Sequence, residues 1–170
     1  TVWHAGQAQG LTLAGLHVLD SCRLEKAFRH FGHDISDEDH VLEAGLGFAV
    51  KTDKPASQLG QFIGRDAVLA KREAGLKKRL VQFQLKDPAP LLYHNEPILR
   101  DGEITGYVTS GNYGHHLGSA IGLGYVACRN GESAADILRS SFEIDVAGEF
   151  CAAKASLKPL YDPTGERMKA

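Results

Sequence analysis

Beyond Lys77 the apolar residues stop recurring at helical spacing and begin to alternate, and this change of period constrains the fold more than any other feature. Over residues 79–85, Val81, Phe83 and Leu85 alternate with Leu80, Gln82 and Gln84, the pattern of a half-buried strand. Residues 97–100 and 103–109 flank Asp101-Gly102, a dipeptide suited to a two-residue hairpin turn. Residues 121–127, 142–146 and 151–157 supply further strands between Gly-rich or polar turns, and 131–138 reads as a short turn or irregular connection. Short strands at this spacing predict an antiparallel barrel of Greek-key type.

Upstream the spacing is helical. Residues 2–9 read as the end of a helix closed by Gly10, and 13–23 as a second helix with Leu16, Leu19 and Cys22 on one side. Gly32 and the acidic stretch 34–39 mark a loop, 46–50 a short Gly-flanked strand, and 51–60 a linker rich in turn residues. Residues 65–74 form a helix that Gly75 ends. The fold class is therefore α+β, with a domain boundary near Lys77: residues 1–76 in one unit and 77–170 in the other. The chain starts at Thr1 without a Met, in what reads as a helix interior, so a longer parent polypeptide is expected.

Composition narrows the function. A net charge of −2 leaves no basic field for a nucleic-acid backbone, so no nucleic-acid partner is expected. No apolar run is long enough to cross a bilayer and no signal-peptide pattern occurs, so no membrane partner is expected either. Cys22, Cys128 and Cys151 are few, widely spaced and odd in number. They read as small buried hydrophobes in a reducing compartment, the cytoplasm or, in a eukaryote, the mitochondrial matrix.

Several residue groups carry possible chemistry. His30, His33, Asp34, Asp37, Asp39 and His40 are dense in metal-ligand types, but their spacing fits neither a zinc site nor a calcium loop, so no metal is expected. Glu43 precedes the apolar stretch as a structural acid first and a residue at a ligand's edge second, and Arg65 at a helix start is expected to pair with a nearby acid rather than to contact substrate. Tyr113-Gly114-His115-His116 lies between two strands as an exposed hairpin loop whose His and Tyr side chains could carry protons. Gly122 and Gly124 sit within a strand rather than before a helix, which disfavours a dinucleotide loop.

The run Leu19-Asp20-Ser21-Cys22-Arg23-Leu24-Glu25-Lys26, followed by His30-Phe31-Gly32-His33-Asp34-Ile35, resembles the folate-binding signature of the glycine-cleavage T-protein superfamily. In the same order follow Leu42-Glu43-Ala44-Gly45-Leu46-Gly47-Phe48-Ala49-Val50, Phe62-Ile63-Gly64-Arg65, Gly106-Tyr107-Val108-Thr109-Ser110-Gly111 and Ile121-Gly122-Leu123-Gly124-Tyr125-Val126. The resemblance implies the C-terminal portion of a T-protein-type folate-binding domain over 1–76, closed by an antiparallel Greek-key β-barrel over 77–170. It implies tetrahydrofolate as cofactor, with FAD only in a domain upstream of this chain.

The resemblance also distributes roles. Glu25 receives the pterin ring, whose adjacent amino and ring N–H donors match the two oxygens of a carboxylate; the plain alternative is a solvated helical glutamate among Arg23, Lys26 and Arg29. Phe48 lines the pterin slot or is simple core, and Lys54 faces the cofactor's glutamate tail or is a surface lysine. The family's catalytic aspartate belongs to the earlier half of the folate domain, so no catalytic residue is assigned here. The motif details are closer to the flavin-dependent dimethylglycine and sarcosine dehydrogenases, which trap a one-carbon unit as methylenetetrahydrofolate. The partners implied are folate and a small methylated amine. The alternatives are an aminomethyltransferase fed by an aminomethyl carrier, and a non-catalytic binding or scaffold module. Apolar surface on the N-terminal part implies self-association.

Overall fold

In the computed structural model, which describes residues 1–53, 62–129 and 132–169, the alternating part of the chain forms six strands. These are β1 (Lys78–Leu85), β2 (Pro97–Arg100), β3 (Glu103–Gly114), β4 (Ser119–Ala127), β5 (Phe142–Val146) and β6 (Glu149–Ser156). They close into a barrel in the order β1-β4-β3-β2-β5-β6, every pairing antiparallel. Hairpins join β2, β3 and β4, while the long connection 86–96 carries the chain from β1, beside β4, to β2; this is the Greek-key arrangement. Closure gives each of the six strands a hydrogen-bonded neighbour on both sides.

The turn chemistry agrees with the sequence. Asp101 (φ 53°) and Gly102 (φ 85°) both take the left-handed region, the conformation that lets a two-residue turn match strand twist. Val81, Phe83, Ile98, Val108, Val126 and Ile144 fill the barrel, with the Phe83 and Phe142 rings edge-on at 5.3 Å. β1 departs from the half-buried expectation, because Leu80 and Gln82 on its outer face are buried as well. Leu24 and Ala27 cover that face together with Ile121, Leu123 and Tyr125.

The helices are α1 (Val2–Gln7), α2 (His17–Glu25), α3 (Arg65–Ala74) and α4 (Ala134–Arg139). α1 is followed by a turn that ends at Gly10 (φ 77°), and α3 stops at Gly75 (φ 82°), as expected. α2 begins four residues later than the apolar spacing predicts, and its buried face is Ser21, Leu24 and Glu25. Leu16 and Leu19 point to solvent instead, and Cys22 is exposed rather than buried. Residues 46–50 are not a strand: Gly47–Ala49 is a single 3₁₀ turn, since no neighbouring strand offers a ladder there. α4 replaces the expected irregular connection. Ser133 and Asp136 form a reciprocal capping box that satisfies its first amides, and Ile137 packs into the barrel core.

Candidate functional site

The end of α2 lies against the turn between β3 and β4, and Glu25 makes the contact. Its Oε1 accepts the backbone N–H groups of His116 (2.6 Å) and Leu117 (3.3 Å). Its Oε2 faces the His116 ring Nδ1 at 2.9 Å. The Glu25 side chain is 4% exposed, whereas the His116 side chain is 57% exposed and stacks on Tyr161 with ring centroids 4.4 Å apart. Gly114 keeps this space open, because a Cβ there would stand 3.3 Å from Glu25 Oε1. Glu25 is thus no solvated helical acid, and the basic residues around it in sequence go elsewhere. Arg23 binds Asp20 and Asp34, Lys26 binds Asp162 at 2.8 Å, and Arg29 donates to the carbonyls of Ala27 and Ala44. The Lys26 hydrogen bond, against some burial, holds the Asp162 carboxyl below its ordinary range.

A second buried acid fixes α2 from the other side. Asp34 is 1% exposed and accepts from Arg23 Nη1 (2.5 Å), Thr109 Oγ1 (2.5 Å) and the His30 N–H (2.9 Å). Ser21 Oγ adds a bond to the Tyr113 carbonyl at 2.7 Å. The other candidate metal ligands have separate duties. Asp39 pairs with Lys78, His40 Nδ1 accepts the Leu42 N–H, and the His30 and His33 rings lie 4.5 Å apart, tilted by 42°. Among the described residues no group of three such side chains converges.

Glu43 is structural in this arrangement. It binds Lys71 Nζ at 2.8 Å and the Lys77 N–H at 3.1 Å, tying α3 to the start of the barrel. Burial pushes its carboxyl up, but these hydrogen bonds outweigh burial and hold it below its ordinary value. Arg65 lies beside the exposed Asp66 and donates to the Thr52 carbonyl. Gly122 and Gly124 lie inside β4. A Cβ on Gly124 would meet Ile98 Cδ1 at 2.5 Å and the Tyr107 carbonyl at 2.6 Å, so close packing requires glycine there.

Phe48 is 77% exposed and lines a cleft of 380 Å³ with Phe28, Ile35, Leu46, Arg29 and Lys158. Glu25 is not part of this cleft; its neighbour Lys26 is. Lys54 lies outside the described residues. Spacing alone did not point to Tyr161, the Leu117 amide, Phe28 or Lys158. The only local signal was Gly114 beside paired histidines.

The family described as the glycine cleavage T-protein C-terminal barrel domain matches residues 78–162, half of the chain, and the GCVT N-terminal domain family matches residues 1–54. This chain belongs to the glycine-cleavage T-protein superfamily. Over 99% of this chain, 44% of positions are identical in the 4-methylaminobutanoate oxidase (formaldehyde-forming) of Paenarthrobacter nicotinovorans, and 35% in human mitochondrial sarcosine dehydrogenase. The chain spans 19% and 18% of the length of those relatives. The crystal structure of the glycine cleavage system aminomethyltransferase T from Bartonella henselae superposes with a TM-score of 0.72 at 24% identity, over 88% of this chain and 40% of that one, and so shares the fold. No helix among the described residues of this T-protein module is long and apolar enough to cross a membrane.

Proposed function

We propose that this T-protein module is the folate-binding C-terminal part of a flavin-dependent amine dehydrogenase of the dimethylglycine or sarcosine type. It holds tetrahydrofolate so that the one-carbon unit released from a small methylated amine is trapped. The 44% identity to an amine oxidase over 99% of this chain supports this branch. One observation carries the binding claim: a buried carboxylate, Glu25, whose Oε1 is fixed by two backbone amides while its Oε2 is opposed by one exposed side chain.

The residues present fit such a ligand. Glu25 offers an acceptor for the ring's amino and N–H donors, and charge assistance makes such contacts stronger than neutral ones. The neighbouring cleft, which Lys26 also lines, has Phe28 and Phe48 as apolar surface and Arg29 and Lys158 as positive charge suited to an acidic tail. Tetrahydrofolate supplies the nucleophilic nitrogen; the chain's part is orientation, which lowers the entropic cost of the encounter. The acid–base group and the flavin are assigned to sequence outside this chain.

The test is a titration of the native polypeptide with 5-formyltetrahydrofolate. Glu25→Gln keeps the side chain's shape and removes its charge, and is expected to weaken binding by about 1.5–3 kcal/mol. Equal affinity for the two proteins would remove Glu25 from the site.

A further inference from the structure

We propose that a cleft between α2, β3 and the 86–96 connection binds a short zwitterionic amino acid, with its ammonium at Asp20 and its carboxylate at Ser110 and Asn112. The cleft measures about 540 Å³, and its walls include Asp20 and Arg23, Ser110 and Asn112, and Leu91 and Tyr93. Glu25 does not line it, so the site is separate from the one proposed for folate. An orphaned hydroxyl marks it. Ser110 is 6% exposed, yet its Oγ is buried with no hydrogen-bond partner. Buried hydroxyls are normally paired, and leaving one unpaired costs free energy that a ligand oxygen would recover. The adjacent Thr109 hydroxyl is not orphaned, since it donates to Asp34. A bulge at Thr109 sets Ser110 opposite Leu123 and Asn112 opposite Ile121, and both of these cluster with Leu24 of α2. Ser110 and Asn112 therefore share the face of β3 that meets α2. Asn112 Oδ1 accepts the Tyr113 N–H at 2.7 Å, and its NH₂ has no partner among the described residues. The β3 wall thus presents a hydroxyl and an amide NH₂ as unused neutral donors.

The α2 wall asks for the opposite partner. Arg23 is the one permanent cation that lines the cleft, and two acids share it, Asp20 and Asp34. One guanidinium against two carboxylates leaves a negative charge uncompensated. Asp34 is closed in by Arg23, Thr109 and the His30 N–H and is no part of the cleft wall. Asp20 is open. Its Oδ1 takes Arg23 Nε and Nη2, both at 2.8 Å, and its Oδ2 has no partner among the described residues. His30 Nδ1 stands 4.0 Å from Oδ1, beyond hydrogen-bond reach. A simple anion would meet repulsion from Asp20, and a simple amine would leave Ser110 unpaired. A molecule with a carboxylate at one end and an ammonium at the other satisfies both walls. Leu91 and Tyr93 are exposed and offer apolar surface to the carbon chain between those ends.

Three probes share a four-carbon chain and differ only in their charged ends: 4-aminobutanoate, butanoate and butylammonium. Each is titrated into the native polypeptide while amide exchange is followed over residues 17–23 and 109–113, which reads this cleft whatever other amine site the polypeptide holds. With 4-aminobutanoate at up to about 0.1 M, well above a millimolar Kd, exchange in both segments is expected to slow. Unchanged exchange there overturns the site. Butanoate and butylammonium are each expected to bind at least about 5-fold more weakly, because each leaves one wall unpaired. Equal protection by either overturns the zwitterion. Ser110→Ala is expected to weaken 4-aminobutanoate about 10-fold and, without ligand, to unfold at the same or a higher temperature, since the hydroxyl it loses has no partner. Wild-type affinity, or a lower unfolding temperature, overturns the role of Ser110. Asp20→Asn keeps an oxygen for Arg23 and is expected to bind 4-aminobutanoate no more tightly than butanoate. An undiminished preference for 4-aminobutanoate in that variant overturns the ammonium seat.

Discussion

The barrel and the segment that leads into it are held by different forces. The barrel buries Phe83, Ile98, Val108, Val126 and Ile144 almost completely, and its hydrogen bonds close on themselves around the ring of strands. The entry segment has no buried residue before Ser21, and Leu13 and Leu16 are more than four-fifths exposed. From Ser21 onward it is fastened to the barrel by polar ties: Ser21 to Tyr113, Asp34 to Thr109, Glu25 to His116, the Leu24 carbonyl to Gln82, and Lys26 to Asp162. The site therefore does not belong to α2 alone. A glutamate at the end of a nine-residue helix is placed by a hairpin 91 positions away.

This contrast is open to attack first at the barrel. Phe83→Ala removes a fully buried ring and is expected to cost about 3–5 kcal/mol in one cooperative denaturant transition, carrying the entry segment with it. A transition in which α2 survives would show that the segment is independent. The converse change is smaller and local. Asp34→Ala takes away the shared acceptor of Arg23 and Thr109, and is expected to cost about 3 kcal/mol of α2 docking. Amide exchange should quicken over residues 17–25 while β1 and β4 keep their protection. Loss of protection throughout the barrel would mean that the two regions form one unit after all.

How far the fold was legible follows the same divide. Alternation reported the strands because each inward side chain meets a common core, and Asp101-Gly102 announced its hairpin. The β5–β6 turn was harder to foresee, since Ala147 (φ 54°) precedes Gly148 (φ 92°) where Asn or Asp is the usual signal. α4 escaped notice because six residues with one buried side chain, Ile137, give no period; its signal was the Ser133–Asp136 cap. The stretch 46–50 was apolar but too short to separate strand from turn. α2 misled most. Leu16 and Leu19 repeat at helical spacing, yet the face that meets the barrel carries Ser21 and Glu25, because polar ties rather than apolar burial dock it.

The proposed site comes from family resemblance and not from local pattern. Glu25 was singled out among three basic neighbours, but composition gave no hint that those neighbours are all engaged elsewhere. Asp34 read as part of a solvated acidic loop, whereas its partner Thr109 lies 75 positions away. Pairings at such separations leave no periodic trace in sequence. Tyr161, which stacks on His116, was singled out by no feature of its own spacing.

The central claim is that a folate ring meets the protein where α2 touches the β3–β4 hairpin. Amide exchange of the native polypeptide with and without 5-formyltetrahydrofolate tests it most directly. The expected result is slower exchange at His116 and Leu117 and over residues 23–28 when the ligand is present. Protection that appears only elsewhere, with these amides unchanged under saturating ligand, would contradict it.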